Sequence, residues 1–385
     1  MQFVKTADLK RGMRLARPIY NKNGVLLYER NSKLTDNGIA SIKNFGLIGI
    51  FILEPAEPVP PMTVDDINFE RFQTMYVFAL KEELQTIINL RRAPKIQTIV
   101  GNIVKNYGHL DKKINFIQNL RSIEDHVYKH SLNVAMLCAM MSHMLNVRLD
   151  EQQDTLIAAA VHDIGKLMLP KNLFEKNELT EQEMEMLRHS EYSGHEVIEK
   201  VFSSNPSVKR ICVQCRKALD EFEMGKIMDA KLLTGTKILM VAETYDTMTA
   251  IQYGKEPVSE VAAIKYLLEN PEIFDERVVS ALISSINILS PGTSIELNTG
   301  DKGVVLAQRG PDILRPMVLV FRDNAIIDLS NEFLYGDMEI VDIMKTMDNR
   351  HIMDTSILKS QGISFDEPEY VEVPDEEVYV PGRDF

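Results

Sequence analysis

Residues 64–288 repeat their apolar side chains at the three- and four-residue spacing of an α-helix. The clearest segments are residues 96–107, 127–145 and 155–161. Thr180, followed three residues later by Glu183, has the pattern of a capping box and predicts the start of a helix. The predicted fold class is therefore mainly α, with a helical bundle as the main domain at residues 64–288.

The two ends of the chain follow a period of two residues, which is typical of strands. Residues 1–55 place apolar runs on both sides of a turn, and they predict a small β-rich domain. Its predicted elements are a turn at residues 21–24, a helix at residues 36–45 and a strand at residues 48–53. Residues 289–345 predict a small β module. Its alternating segments are residues 293–297, 303–307 and 317–321.

Two segments have compositions that predict neither helix nor sheet. Residues 56–63 belong to a proline cluster, and proline lacks the backbone donor that helices and central strands need, so this segment is predicted to be a linker. Residues 346–385 are rich in acidic residues and contain several prolines, so they are predicted to form a mobile acidic tail. At 385 residues the chain is long enough for several domains.

The net charge of −13 argues against DNA or RNA as a partner, because nucleic acid is held by clustered basic residues. A small anionic ligand remains open, since several basic residues are spaced so that they could form a local positive pocket. These residues are Lys166, Arg188, Lys209, Arg210, Arg216 and Lys217. Ordinary solvated surface charges are the alternative for most of them.

The cysteine content and the first residues of the chain indicate a reducing, cytoplasmic location. Only 3 cysteines occur, and the sequence from Met1 to Asp8 lacks the basic-then-apolar order of a signal peptide. The richest apolar run, residues 132–145, is too short and too polar to cross a bilayer. We therefore expect no membrane anchor.

The adjacent pair His162 and Asp163 supplies an imidazole nitrogen and a carboxylate oxygen from one short segment, and these ligand types suit a divalent transition metal. A His-Asp pair alone has little value, because it occurs by chance in many chains. Two further histidines, His130 and His189, lie in or beside other predicted helices. Histidines from separate helices that converge on an aspartate would form a metal site inside a helical bundle.

The order of these motifs resembles the HD-GYP branch of the HD metal-phosphohydrolases. The matching segments are His130-Ser131, His162-Asp163-Ile164-Gly165-Lys166 with Pro170, Thr180 to Glu183, and His189 to Gly194. Residues 8–13, 290–293 and 303–305 look like the flanking domains that bacterial members carry. The resemblance implies metal-assisted hydrolysis of cyclic di-GMP, in which Lys166 neutralises a phosphate oxygen and Asp163 bridges two metal ions.

The second half of the family pattern is altered in this chain. Aligned without gaps from Glu243, the two histidines and the glutamate of the family's His-His-Glu run fall on Gln214, Cys215 and Arg216. The glycine-rich loop that should follow falls on residues 219–224, which contain none of the expected glycine, tyrosine or proline. Glu243 itself replaces the family aspartate but keeps a carboxylate. A second metal ion would therefore be short of ligands, and the binding of a dianionic dinucleotide would be weakened.

The resemblance implies a metal site built from His130, His162, Asp163, His189 and Glu243, with Lys166 and Asp163 as catalytic residues. His126, four residues before His130 on the same helix face, and Cys215 are candidate extra ligands. Each has a structural alternative, namely a core or surface histidine and a small buried helix residue. The implied cofactor is a divalent transition metal, with iron or manganese ahead of zinc, as one ion or two.

Two interpretations of function remain open. In the first, the protein is a cyclic di-GMP signalling protein that keeps a metal but has weak or no turnover. In the second, it is an active metal-dependent phosphodiesterase for cyclic di-GMP or another nucleotide. Its candidate partners are a cyclic dinucleotide or other small phosphate ligand, a signalling protein and a second copy of the chain in a homodimer.

Overall fold

The computed structural model describes residues 2–343 except 45–48, 54–62, 119–120, 123, 171–172, 174–179, 228–230, 251–256 and 311. The predicted linker, apart from Thr63, and the predicted acidic tail lie outside the described residues. The chain divides into two compact units. One contains the described parts of Met1–Thr74 and Leu289–Phe385, and the other is Met75–Ile288.

The N-terminal part of the first unit is a small antiparallel β structure with one helix, as the sequence predicts. Its elements are β1 Gln2–Lys5, β2 Arg14–Leu15, β3 Ile19–Tyr20, β4 Leu26–Tyr28, α1 Asp36–Asn44 and β5 Gly49–Leu53. Strand β5 lies between β1 and β2, and β3 pairs with β4. The turn before β4 forms because the Asn21 side chain accepts from two following amides and Gly24 adopts a φ of 72°, which glycine reaches without a steric penalty.

The second unit is entirely helical in its described elements, and its first residue, Met75, lies within helix α2. The helices are α2 Val64–Leu90, α3 Ile96–Tyr107, α4 His126–Met144, α5 Leu149–Val161, α6 Glu181–Val201, α7 Pro206–Glu223, α8 Thr234–Thr249, α9 Glu260–Glu269 and α10 Glu276–Ser285. The predicted start of α6 is confirmed. The Thr180 hydroxyl accepts from Glu183 N at 3.3 Å, and Glu183 Oε2 accepts from Thr180 N at 3.0 Å.

Helix α4 is the centre of this unit. Nearly every side chain from Val127 to Ser142 is buried, as expected for a helix that is apolar on all sides and lies inside a domain. It packs against α3, α5, α8 and α10. Polar groups on its first turns therefore face the neighbouring helices rather than water, and they need partners there.

The turn that follows α5 packs closely on α6. A 3₁₀ helix, Ile164–Met168, continues the chain after His162 and Asp163. A Cβ atom added to Gly165 would lie 2.2 Å from the Ser190 carbonyl oxygen, and one added to Gly194 would lie 2.8 Å from the Gly165 nitrogen. This contact requires glycine on both sides, and it holds the turn that carries Lys166 against α6.

The C-terminal part of the first unit is a five-stranded antiparallel sheet. Its elements are β6 Ser294–Leu297, β7 Lys302–Ala307, β8 Met317–Val320, β9 Ala325–Asp328, the short helix α11 Glu332–Tyr335, and β10 Ile340–Ile343. The strand order is β10-β6-β7-β8-β9. The predicted fold class, a helical bundle with small β structures at both ends of the chain, is confirmed. Across the described residues, no helix combines the length and the apolar content that a membrane crossing requires.

Candidate metal centre

Three helices of the second unit bring imidazole and carboxylate groups to one place. His130 is on the first turns of α4, His162 and Asp163 follow the last residue of α5, and Glu243 is on α8. Ligand atoms of His130, His162 and Asp163 all lie within 4.8 Å of one another. His130 and Asp163 are buried, and the side chains of His162 and Glu243 are only 9% and 12% exposed.

Glu243 faces both imidazoles. Its Oε2 lies 2.6 Å from His130 Nε2 and 2.9 Å from His162 Nε2, and the two Nε2 atoms are 3.2 Å apart. Asp163 is slightly farther away, with Oδ2 3.6 Å from His130 Nε2 and Oδ1 3.8 Å from His162 Nε2. The four side chains thus place two nitrogens and two carboxylate groups around one small space.

The other nitrogen of each imidazole is already engaged. His162 Nδ1 lies 2.7 Å from the carbonyl oxygen of Ala159, which can only accept, so the proton of a neutral ring is on Nδ1. His130 Nδ1 lies 2.7 Å from Asp246 Oδ2, which also accepts. Both Nε2 atoms therefore direct lone pairs at each other and at Glu243. Three lone-pair atoms this close require a cation between them, either a proton or a metal ion.

The charges at the site reinforce that requirement. Burial alone lowers the pKa of His130, but the carboxylates of Glu243 and Asp246 raise it to about 9. Burial likewise raises the pKa of Glu243, yet His130 and His162 hold it well below its ordinary value. Without a metal, His130 is therefore the group that supplies the proton. The donor set of two imidazoles and two carboxylates fits a divalent transition metal such as iron, manganese or zinc.

Lys166 lies beside the cluster. Its Nζ donates to Asp163 Oδ2 at 2.6 Å. Burial would lower the pKa of Lys166, but the charge of Asp163 raises it, so the side chain is an ammonium. Against the effect of burial, Lys166 and then His162 lower the pKa of Asp163 to about 2. Asp163 Oδ2 thus accepts from the Lys166 ammonium and also faces the imidazole of His130.

Asp246 was not among the predicted site residues, although it lies one helical turn after Glu243 on α8. It is fully buried, and Arg121 Nη2 donates to both of its oxygens at 2.6 Å. Gln118 and Asn133 donate to Oδ1 at 3.0 and 3.1 Å. A spacing of three residues between two acidic side chains on a buried helix was the one sequence signal that pointed to it.

The other predicted ligands lie outside this cluster. His189 is exposed on α6, with the Ser193 hydroxyl 3.4 Å from its Nδ1. The ring of His126 stacks on that of His130, with centroids 6.1 Å apart and planes 7° from parallel. Burial, followed by the charge of His130, lowers the pKa of His126 to about 4. Cys215 is buried in α7, and burial raises the pKa of its thiol well above the ordinary value. Their roles as ligands stay predictions.

Gln214 and Arg216, which flank Cys215, have hydrogen-bond or ion-pair partners that are not members of the four-residue cluster. Gln214 Oε1 accepts from Leu233 N at 3.2 Å and from the Thr236 hydroxyl at 2.9 Å, so it caps the start of α8. Arg216 forms ion pairs with Asp220 and, at 3.9 Å, with Glu191. Of the basic residues considered for a positive pocket, most lie within ion-pair distance of a carboxylate. These are Lys166, Arg188, Lys209, Arg216 and Lys217.

Comparison with known proteins places this geometry in a family context. Residues 115–278 match the family model of the HD domain. The chain is 25% identical over 205 residues to the cyclic di-GMP phosphodiesterase PA4108 of Pseudomonas aeruginosa, covering 52% of this chain and 49% of that protein. It is 24% identical over 212 residues to the cyclic di-GMP phosphodiesterase PdeB of Borreliella burgdorferi, covering 53% and 54%.

A third relative is the cyclic di-GMP phosphodiesterase response regulator RpfG of Xanthomonas campestris. It is 27% identical over 157 residues, which cover 38% of this chain and 40% of that protein. The chain thus spans about half the length, or less, of the curated relatives it matches. The matched region includes all four side chains of the cluster.

Proposed function

Because its helical unit is an HD domain of the HD-GYP type, we propose that this protein acts in cyclic di-GMP signalling through a degenerate site. The site holds one divalent transition metal and has weak or no turnover. The relatives named as cyclic di-GMP phosphodiesterases support the choice of ligand. The degeneracy rests on the residues of this chain.

One observation carries the proposal: the positions at which the family pattern has its His-His-Glu run are used here to hold α7 in place. Gln214 caps α8, and Cys215 is a buried thiol whose high pKa keeps it protonated. Arg216 is a cation paired with two carboxylates. A capping amide, a neutral thiol and a guanidinium are poor ligands for a second metal ion.

The segment aligned with the glycine-rich loop supports the same conclusion. Residues 219–223 form the last part of helix α7, which ends at Glu223 and is followed by Gly225 with a φ of 71°. Phe222 packs edge-on against Phe274, with centroids 6.3 Å apart, and Lys217 pairs with Glu221 at 3.7 Å. Backbone amides within a helix are already bonded, so this segment offers no cradle for a phosphate.

His130, His162, Asp163 and Glu243 would hold the metal, for which iron or manganese fits ahead of zinc. When bound, such an ion polarises a phosphoryl oxygen and activates water. Lys166, which donates to Asp163 in this structure, would turn to a phosphate oxygen of the ligand and neutralise it. We propose a cyclic dinucleotide or another small phosphate as the ligand, with a signalling protein or a second copy of the chain as further partners.

Metal content, ligand binding and turnover measured on one sample test this proposal. We expect about one equivalent of metal, because the four side chains form a single donor set. We also expect measurable binding of cyclic di-GMP and at most a slow loss of the nucleotide above a protein-free control. His162→Ala should lose the metal. His143→Ala is the matched control, because His143 lies on the partly exposed end of α4 and pairs with Asp111, away from the cluster. Loss of metal in both variants, or in neither, would contradict the assignment.

A working phosphodiesterase is the second candidate. The observation that favours it is that His130, His162, Asp163 and Glu243 converge with Lys166 beside them, which is a donor set sufficient for one catalytic ion. A screen of cyclic dinucleotides and nucleoside phosphates separates the two candidates. Hydrolysis of any of them at a typical enzymatic rate, about 1 s⁻¹ or faster, that stops in His162→Ala and persists in His143→Ala would select the enzyme and refute the degenerate site.

A further inference from the structure

The buried carboxylate of Asp246 joins two parts of the helical unit. Its Oδ2 lies 2.7 Å from His130 Nδ1 on α4, while Arg121 Nη2 donates to both oxygens from the segment that precedes α4. Arg121 and Asp246 are 1% and 0% exposed, respectively. A buried charge is costly unless it is paired and hydrogen-bonded, and here both requirements are met.

The donors around Asp246 are divided unevenly between its two oxygens. Oδ1 accepts from Gln118 Nε2, Asn133 Nδ2 and Arg121 Nη2. Oδ2 accepts from Arg121 Nη2 and faces His130 Nδ1. Oδ1 thus already accepts three hydrogen bonds, whereas Oδ2 accepts one and can accept another from the ring N–H of His130.

A second contact to the same nitrogen does not change the tautomer. Arg121 Nη1 lies 3.4 Å from His130 Nδ1, and a guanidinium could donate there only if Nδ1 carried no proton. The carboxylate at 2.7 Å is much the closer group and can only accept, so it decides the arrangement. His130 therefore donates from Nδ1, so that Nε2, which faces Glu243 and His162, is the nitrogen that can exchange its proton for a metal ion.

We propose that Arg121 and Asp246 are positioning residues for the metal site: they fix the tautomer and the ring orientation of His130, so that Nε2 is ready to bind the ion. The inference rests on the metal site of the proposed function, but not on cyclic di-GMP or on turnover. Arg121 neutralises Asp246, so the arrangement orients His130 without adding net charge to the core. Partners of this kind typically change metal affinity by about 10- to 100-fold.

Asp246→Asn tests the pair with almost no change of shape. The new NH2 group can take the place of Oδ1, which faces three donors, or of Oδ2, which faces His130 Nδ1 and one donor. The second placement is favoured because it brings fewer donors together. His130 would then accept at Nδ1 and carry its proton on Nε2, where it blocks the metal. Zn²⁺ affinity of the full-length chain, measured by competition with a chromophoric chelator, should fall about 10- to 100-fold.

Thr249→Val is the matched control. Thr249 lies on the same helix as Asp246, and its hydroxyl accepts a hydrogen bond from the same Gln118 side chain at 2.9 Å. It is not one of the residues that orient His130. The substitution removes two buried hydrogen bonds, the one from Gln118 and the one that the Thr249 hydroxyl donates to the Tyr245 carbonyl at 2.8 Å. Zn²⁺ affinity should stay within about threefold of wild type, which is less than the effect of losing a ligand's own partner. Far-UV circular dichroism of both variants reports whether the fold is kept.

A measurement on the wild-type chain makes the test independent of how the variants fold. In protein labelled with ¹⁵N-histidine and loaded with Zn²⁺, we expect the His130 ring to show a protonated Nδ1 and a metal-bound Nε2. Coordination through Nδ1, or unchanged Zn²⁺ affinity in Asp246→Asn, overturns the inference while the metal site stands. A wild-type chain that binds no Zn²⁺ at all overturns both. Turnover of cyclic di-GMP, present or absent, affects only the proposed function.

Discussion

The contact between Gly165 and α6 leads to a quantitative prediction. In Gly165→Ala, the new Cβ would lie 2.2 Å from the Ser190 carbonyl oxygen, a backbone atom that cannot rotate away. Close carbon–oxygen contacts in proteins are about 3.3 Å, so α6 or the turn must move by roughly 1 Å. Overpacking of this kind costs about 1–3 kcal/mol, which lowers Tm by about 2–12 °C in a domain of about 150–250 residues.

Thermal unfolding followed by circular dichroism measures this loss. Gly194→Ala approaches the same contact from the other side, at 2.8 Å from Gly165 N, and should lower Tm by less. Gly101→Ala is the control, because Gly101 is exposed within α3 and an added Cβ would meet nothing within 4 Å. Alanine there should raise stability by about 0.5–1 kcal/mol. If Gly165→Ala unfolds at or above the wild-type temperature, the backbone contact is not as close as described.

Two further predictions concern titrating groups. Burial raises the pKa of Asp275, but hydrogen bonds from Arg277 and Lys237 hold it well below its ordinary value, so its contribution to stability is present above about pH 4 and is lost at lower pH. Asp275→Asn should therefore cost about 0.5–1 kcal/mol in urea unfolding at pH 7, and progressively less as the pH falls below about 4 toward the lowered pKa; a cost that stays constant down to about pH 2 would contradict an ionic role. All 3 cysteines are buried, and burial raises the pKa of each thiol. A thiol reagent should label them slowly at pH 8 and fully after unfolding, and rapid labelling of the folded protein would show that a thiol is accessible.

Local sequence signals predicted much of the fold because each acts over a few residues. The helical period of residues 64–288, the capping box at Thr180 and the hairpin turn before β4 all depend on neighbours in the chain. The strands β9 and β10 were not predicted. Strand β9 has only four residues and pairs with its sequence neighbour β8, whereas β10 pairs with the distant strand β6 at the far edge of the sheet.

The candidate site was likewise predicted only in part. The order of His130, His162 and Asp163 along the chain was enough to expect that they converge, and the structure brings their ligand atoms together. The pairing of Asp246 with Arg121 could not be predicted, because these residues are separated by more than half of the helical unit and neither has a local pattern. The continuation of α7 through residues 219–223 was also missed, since the family comparison led to the expectation of a loop there.

The two imidazoles of the cluster differ in what holds them. His162 donates to the carbonyl of Ala159, a backbone atom that every residue type supplies, whereas His130 depends on the side chain of Asp246. We therefore expect the residue that supports His162 to tolerate mutation better than those that support His130. In a library of random single substitutions, position 159 should accept any small residue that fits, while positions 121 and 246 should be as restricted as those of the metal ligands themselves. Substitutions that weaken the metal site should therefore include core residues beside α4 and α8, whereas beside α5 the supporting contact is made by the main chain.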